Sequence, residues 1–289
     1  VGHAGTLDPM ATDVLVIDVE KATRLLGHLA LTEKEYLATI RLGQATDTGD
    51  AEGTVTGTAD ASALTEAAVR AAVATLTGPI QQVPPAVSAI KVGGKRSYAL
   101  ARAGAAPDLP ARPVTVWSFE VLASRRGPGV LDLDASVRCS SGTYVRALAR
   151  DLGEALVVGG HLTMLRRTRV GPYDLALART LDELATNLTV LPIEQAAAAA
   201  FPARQLTPAE ADAVSHGRRL PADGSATSSD SVTSGDSVTN SVSVPSGDAA
   251  PSSDAVPASP PIAAFASDGT FVALLEEKDG EARPLAVFA

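Results

Sequence analysis

With 289 residues, 45% of them hydrophobic, the chain is long enough for one large domain, or for a large domain and a small one. Its apolar runs are too short to span a membrane, no charged-then-apolar leader is visible, and one cysteine, Cys139, excludes an internal disulfide and a cysteine-built zinc site; the cytoplasm is the expected compartment. The net charge of −9 argues against a uniformly basic nucleic-acid-binding surface, yet Asp223, Asp230, Asp236, Asp248 and Asp254 fall in residues 222–261 without Lys or Arg, and removing those five charges leaves −4.

The chain opens VGHAGTLDPMATDVLVIDV. Gly2 and Gly5 allow backbone angles that other residues avoid, while Pro9 fixes φ and restricts Asp8 to extended conformations. Asp8 is therefore held on a rigid loop before an apolar run, Val14 to Val19, that reads as a buried strand. Taken alone, Asp8 is either an Asx-type turn residue or a reactive carboxylate.

In EYLATIRLG, Tyr36, Ala38, Ile40 and Leu42 share one face of a strand and Leu37, Thr39 and Arg41 the other. LTEAAVRAAVATLTGPI predicts a helix with Thr65 as N-cap, Glu66 in the first turn and Gly78-Pro79 as its stop. RPVTVWSFEVLA and VLDLDASVRC predict a hairpin across SRRGPG, with Leu131, Leu133, Ala135, Val137 and Cys139 turned inward. That pattern makes Cys139 a packing residue rather than a nucleophile. SGTYVRALARDLGEAL predicts a second helix, with Val145, Leu148, Ala149 and Leu152 at helical spacing.

FPARQLTPAEADAVSHGRRLP reads as a short helix ending at Gly217, and residues 262–289 as two or three strands with turns at Asp268-Gly269 and Asp279-Gly280. Between them, residues 222–261 are Ser, Asp, Pro and Gly with few large apolar groups, which predicts disorder. The expected organisation is a large domain over 1–195 and a small β-rich domain built from 200–221 and 262–289. The class is α+β, with a mixed, mainly antiparallel central sheet and helices on one face.

Lys91, Lys95, Arg96 and Arg102 surround Gly93-Gly94, and Arg166, Arg167 and Arg169 crowd another short stretch; basic clusters beside turns suit phosphate contacts. GGKRS lacks the upstream glycine of a phosphate-binding loop and has Arg96 where Ser or Thr belongs. DTGDAEG places Gly49 and Ala51 where a calcium loop needs oxygen ligands. Asn187-Leu188-Thr189 is a chance glycosylation match in a chain expected to be cytoplasmic.

The ordered set GHAGTLDPMAT, KEYLATIRLGQATDTGDAEG, PPAVSAIKVGGKRSYALARAG, CSSGTYVRALARDLGEAL and LRRTRVGPY resembles the bacterial tRNA pseudouridine-55 synthase family (TruB type) from Val1 to about Glu194. The resemblance implies a pseudouridine synthase fold with a PUA-like C-terminal domain. It also implies isomerisation of one uridine, position 55 in the T-arm of tRNA, by a monomer without metal or organic cofactor. It matches Asp8 to the catalytic aspartate, Arg146 to its arginine partner and Tyr36 to the tyrosine that stacks on the flipped base. Tyr144, Lys91 and the pocket-lining Leu165 match further substrate-binding positions, and His3 matches the histidine that fills the space left by the uridine.

The same resemblance implies that the Arg and Lys clusters grip phosphate while the acidic segment lies away from the RNA. Two departures accompany it. The family carries a strand and helix with a DKP-G-TS type motif before the GHAGTLDP loop, so the chain is expected to start inside the domain. Asp13 stands where the family usually has Gly, which predicts backbone strain if φ is positive there and a second carboxylate near Asp8. A catalytically impaired RNA-binding or tRNA-folding module and, more distantly, a metal-free hydrolase using Asp8 are the alternative readings.

Overall fold

The computed structural model describes residues 1–85, 91–92, 95–96, 109–222 and 260–288, without the side chains of 91–92 and 95–96. It divides into two compact units, Val1–Thr189 and Val190–Ala289. The strands of the first unit are β1 (Gly2–His3), β2 (Thr12–Asp13), β3 (Ile17–Asp18), β4 (Lys34–Leu42), β5 (Gln44–Thr46), β6 (Val55–Thr58), β7 (Gly78–Gln82), β8 (Lys91–Val92), β9 (Lys95–Arg96), β10 (Arg112–Gly127), β11 (Val130–Cys139), β12 (Gly160–Val170) and β13 (Tyr173–Asp174). Its central sheet runs β13-β12-β4-β11-β10-β7, and β2 adds to β12. Only the β2–β12 pairing is parallel, so the sheet is mixed and mainly antiparallel, as expected.

The alternation read in the sequence carries the core. Ala38, Ile40 and Leu42 of β4 and Leu131, Leu133, Ala135, Val137 and Cys139 of β11 are all buried on one face. Two helices cover that face: Val145–Ala155 through Val145, Leu148, Ala149 and Leu152, and Glu66–Thr75 through Val69, Ala72 and Val73. The Thr65 hydroxyl caps the second of these, accepting from the Ala68 amide at 3.1 Å. The β10–β11 hairpin closes with Gly127 opposite Val130, and Gly129 takes φ 70° in the turn.

The strand β12 was not legible as one, because basic residues interrupt its alternation and bulges break its register beside Leu162 and Arg167. It nevertheless lies beside β4 in the middle of the sheet's ladder. Its start is fixed by close packing on the helix. A Cβ at Gly153 would lie 2.2 Å from the Gly159 carbonyl carbon, and one at Gly160 would lie 2.4 Å from the Ala149 carbonyl oxygen. Gly153→Ala gains about 1 kcal/mol of helix propensity but overpacks against backbone, which costs about 1–3 kcal/mol or more. The expected net result is destabilisation in a denaturant titration; an unchanged or raised midpoint would show that helix and strand can part without penalty.

Val14 to Val19 is not a buried strand. β2 touches the sheet for two residues beside Arg166 and Arg167, and the chain then leaves to pair Ile17–Asp18 with Gly2–His3 in a two-stranded ladder. Val14 alone among the apolar residues of this run is buried; Ile17 and Val19 are exposed. Gly5 does use its freedom, at φ 100°, whereas Gly2 does not take positive φ, and a Cβ there would meet only the movable end of the Leu26 side chain, Cδ1 at 2.3 Å. Asp13 is not among the residues with positive φ, so the backbone strain expected there is absent.

The second unit is a five-stranded sheet, β14 (Ala203–Gln205), β15 (Leu220–Pro221), β16 (Ile262–Phe265), β17 (Phe271–Lys278) and β18 (Glu281–Val287), in the order β14-β16-β17-β18-β15. Thr207 and Glu210 form a capping box for the helix Pro208–Ser215, which ends before Gly217 at φ 76°. The segment before it is therefore strand, not helix: Ala203–Gln205 pairs parallel with β16. Asp279 and Gly280 both take positive φ, the requirement of a type I′ hairpin turn. Val214, Leu275, Ala282 and Val272 form its core. The serine- and aspartate-rich segment expected to be disordered lies, over 223–259, outside the described residues. Among the described residues no helix is long and apolar enough to cross a membrane.

Candidate active site

Four segments distant in sequence converge at the N-terminal end of the helix Val145–Ala155. Asp8, Pro9, Met10 and Ala11 form a turn closed by the Ala11 amide donating to the Asp8 carbonyl at 2.9 Å, with Pro9 at its second position. The turn frees the Asp8 carboxylate from local amides. Instead Arg146 Nε donates to Asp8 Oδ2 at 2.9 Å, and Nη2 donates to Oδ1 at 2.6 Å. This is the bidentate fork that guanidinium and carboxylate geometry favour. The Arg146 side chain is 5% exposed and that of Asp8 25%, so the cation is buried and the carboxylate faces an opening.

Arg146 is itself held from the other side. Nη1 donates to the Thr48 carbonyl at 2.9 Å and lies 3.6 Å from Asp50 Oδ2, a carboxylate 5% exposed. Asp50 is fixed by the Thr48 hydroxyl and the Glu52 amide, which donate to its Oδ1 at 2.6 and 3.1 Å. Gly49, at φ 76°, brings this loop within reach of the Arg146 Cβ. Asp50 carries no signal of its own in DTGDAEG: its carboxylate faces a guanidinium 96 positions away, while Asp47 of the same stretch accepts from the Thr54 amide. Among the described residues no three His, Cys, Asp or Glu side chains are grouped to hold a metal ion.

Tyr144 stands at the N-cap of the same helix. The buried amide of Gln82, at the end of β7, clamps its backbone: the Tyr144 amide donates to Oε1 at 2.8 Å, and Nε2 donates to the Tyr144 carbonyl at 3.2 Å. Gln82 carried no sequence signal, because nothing in a single chain links it to a residue 62 positions away.

Tyr36 on β4 packs against the central core cluster together with Met10 and Ala11, and Leu165 on β12 is a buried member of that cluster. Burial is the main cause that pushes the Tyr36 hydroxyl up, with the neighbouring Cys139 adding to it, so the phenol stays protonated across the physiological range. Burial likewise raises the Cys139 thiol to about 11, which suits a packing residue and not a nucleophile. His3 is exposed on β1 opposite Ile17, outside the Asp8–Arg146 contact. Lys91 is paired through its backbone with Arg96, and its side chain is outside the described residues.

The arginine-rich stretch corrects the phosphate-grip reading for two of its three members. Arg169 bonds Glu33 and Glu35, and Arg167 is 2% exposed and paired with Asp13. Arg166 alone remains exposed.

A buried, doubly anchored arginine presents a carboxylate beside a mainly antiparallel sheet, and comparison with known proteins identifies the class as pseudouridine synthase. Residues 1–145 match the family described as TruB family pseudouridylate synthase (N terminal domain), 146–211 the tRNA pseudouridylate synthase B C-terminal domain and 253–289 the tRNA Pseudouridine synthase II, C terminal. The chain belongs to the TruB family. A relative named tRNA pseudouridine synthase B from Arthrobacter sp. (strain FB24) is 54% identical over 291 residues, covering 100% of this chain and 87% of the relative. One of the same name from Rhodococcus jostii (strain RHA1) is 62% identical over 222 residues, covering 76% of this chain and 73% of the relative. The fold is also that of a protein in the solved structure of an H/ACA RNP bound to a substrate RNA containing 2'-deoxyuridine, with TM-score 0.64, 22% identity, and coverage of 100% of this chain and 76% of that one.

Proposed function

We infer that this chain is an isomerase that converts uridine to pseudouridine in tRNA, with Asp8 as its reactive group. The observation that carries the reading is the two-point grip of buried Arg146 on the partly open Asp8 carboxylate. The TruB-family relatives, named for this activity on tRNA, support it.

The reaction breaks the N1–C1′ bond, turns the uracil and joins C5 to C1′, with the C5 proton lost and N1 left protonated. Each of the three uses of Asp8, attack at C1′, addition to the uracil or assistance by proton removal, requires a carboxylate held in one orientation. Arg146 supplies that orientation and a compensating charge. The target nucleotide must leave its stack, at a cost of a few kcal/mol. Stacking on Tyr36 would return about 1–3 kcal/mol of that. Tyr144, Leu165, Lys91 and His3 are proposed as substrate contacts and as the group filling the vacated stack. The substrate site is the T-arm uridine at position 55. The chain acts as a cytoplasmic monomer, its small C-terminal unit a PUA-like RNA-binding module. No residue in this chemistry calls for a cofactor.

The test is turnover on an unmodified tRNA transcript. Carbodiimide-dependent reverse-transcription stops should reveal one pseudouridine, in the T-arm, and a transcript with that uridine replaced by cytidine should stay unmodified. Product elsewhere would overturn the T-arm assignment, and no product on any tRNA would overturn the activity.

A further inference from the structure

We propose that Asp13 and Arg167 form a positioning pair that fastens the Asp8 loop to the sheet and orders Tyr36. The proposal rests on the pseudouridine synthase reading of Asp8 and extends it to two buried residues behind the loop that carries it.

Arg167 belongs to β12 and is 2% exposed, yet its side chain reaches three points of the N-terminal loop. Nε donates to the Val14 carbonyl at 3.0 Å, and Nη2 lies 3.5 Å from the Gly5 carbonyl, in reach of donation. The third point is Asp13 Oδ1, 3.1 Å from Nε. The single Nε hydrogen is already given to Val14, so the Asp13 contact is electrostatic rather than a shared hydrogen, and Oδ1 receives no hydrogen bond. The loop that carries Asp8 is thus tied down on both sides of that residue, at Gly5 and at Asp13–Val14, by one side chain.

Tyr36 lies opposite Arg167 across the β12–β4 ladder, where the same guanidinium favours the charged form of its hydroxyl against the effect of burial. One arginine therefore couples the Asp8 loop to the tyrosine assigned to the flipped base. Gly5 makes the approach possible: a Cβ there would be 3.3 Å from Arg167 Nη1 and 3.6 Å from Lys34 Cε.

Asp13 is needed because the site is otherwise cationic. Lys34, 6% exposed, donates from Nζ to the Ala30 and Thr32 carbonyls, and burial together with Arg167 lowers it to about 8. Two cations share this space, and the groups facing Asp13 are Arg167, Asp8 and Tyr36. Burial is the largest influence on Asp13 and raises it to about 6, against the pull of Arg167 and with a push from Asp8. Asp13 is thus ionised and paired with Arg167 at pH 7.5 and protonated at pH 5, where Arg167 loses its counter-charge.

The experiment compares wild type with Asp13→Asn, nearly isosteric but uncharged, on a tRNA transcript from pH 5 to 8.5. Loosening the loop should lower kcat at pH 7.5 by about 10–100-fold, the range expected from a misplacement near 1 Å. KM for tRNA should stay within about twofold of wild type. At pH 5 the two rates should converge, because wild type is then itself uncharged at residue 13. A purely structural role would hold the variant below wild type by the same factor at every pH, and that outcome, or a kcat equal to wild type at pH 7.5, overturns the proposal. If the single variant loses its folded circular-dichroism spectrum, Asp13→Asn with Arg167→Met leaves neither charge of the pair. Reduced kcat without the acidic difference supports the pair, and wild-type kcat overturns it. Absence of product from wild type defeats the functional reading instead, so the two failures are distinguishable.

Discussion

Asp8→Asn lowers pseudouridine formation by at least about 10³-fold while the dissociation constant for tRNA changes by less than about twofold. A residue that forms or breaks bonds with the reacting atoms typically costs about 10⁴–10⁶ in kcat when removed, and the residual rate comes from binding and orientation alone. The substitution keeps the shape of the side chain and one oxygen, so Arg146 retains an acceptor and the Asp8–Ala11 turn, which is closed by backbone atoms, is unaffected. What is lost is the negative charge and the second oxygen. Single-turnover assays with enzyme in excess separate chemistry from tRNA release, and filter binding reports affinity. A variant that still turns over within tenfold of wild type would remove Asp8 from the chemistry. A variant that loses tRNA binding in proportion to rate would make it a binding residue. The partial exposure of its carboxylate, beside a fully buried partner, is what favours the first role.

The sequence disclosed most where side chains alternate or repeat at a fixed period. β4, β11 and both long helices were readable because their buried positions recur every second or every third to fourth residue, and burial follows that pattern down to Cys139. The hairpin turns at Gly127–Val130 and Asp279-Gly280 were readable because their geometry demands glycine. β12 was not, since its arginines break the alternation; Arg167 is inward because it has loop carbonyls and Asp13 to satisfy it, which only the folded chain provides. The Val14 to Val19 run misled for the complementary reason. Apolar composition signals burial only when a neighbouring layer exists; the sheet pairing ends at Thr12–Asp13, before the run, whose Ile17–Asp18 pair with Gly2–His3 instead.

The site divides along the same line. Asp8, Tyr36, Tyr144, Arg146 and Leu165 were named through a resemblance that depends on ordered motifs. Asp50, Gln82 and the Asp13–Arg167 pair are partners of partners. Their types are unremarkable in place, and their importance lies in contacts made across long stretches of chain, from Gln82–Tyr144 at 62 positions to Arg167–Gly5 at 162. Ordered motifs single out the candidate site residues, and nothing in one chain singles out the residues that hold them still.

Arg146→Lys and Arg146→Met are expected to separate charge from geometry at the centre of this arrangement. Arg146 sits between two carboxylates, hydrogen-bonded to both oxygens of Asp8 and 3.6 Å from Asp50. Methionine leaves Asp8 and buried Asp50 without their cation. Removing one member of a buried ionic group costs about 3–5 kcal/mol, so the variant should be strongly destabilised as well as inactive. Lysine keeps a positive charge but offers no planar fork. One ammonium cannot reach both Asp8 oxygens, the Thr48 carbonyl and Asp50 together from the same helix position. Stability should recover most of the methionine loss while kcat stays at least about 100-fold below wild type, the scale expected of a misaligned reactive group. Adding Asp50→Asn to Arg146→Met removes one of the stranded anions and should restore part of the lost stability without restoring turnover. Denaturant midpoints and single-turnover rates on the same four proteins decide the matter. A lysine variant with near wild-type rate would mean that charge alone suffices at residue 146, and the orientation argument for Asp8 would fall with it.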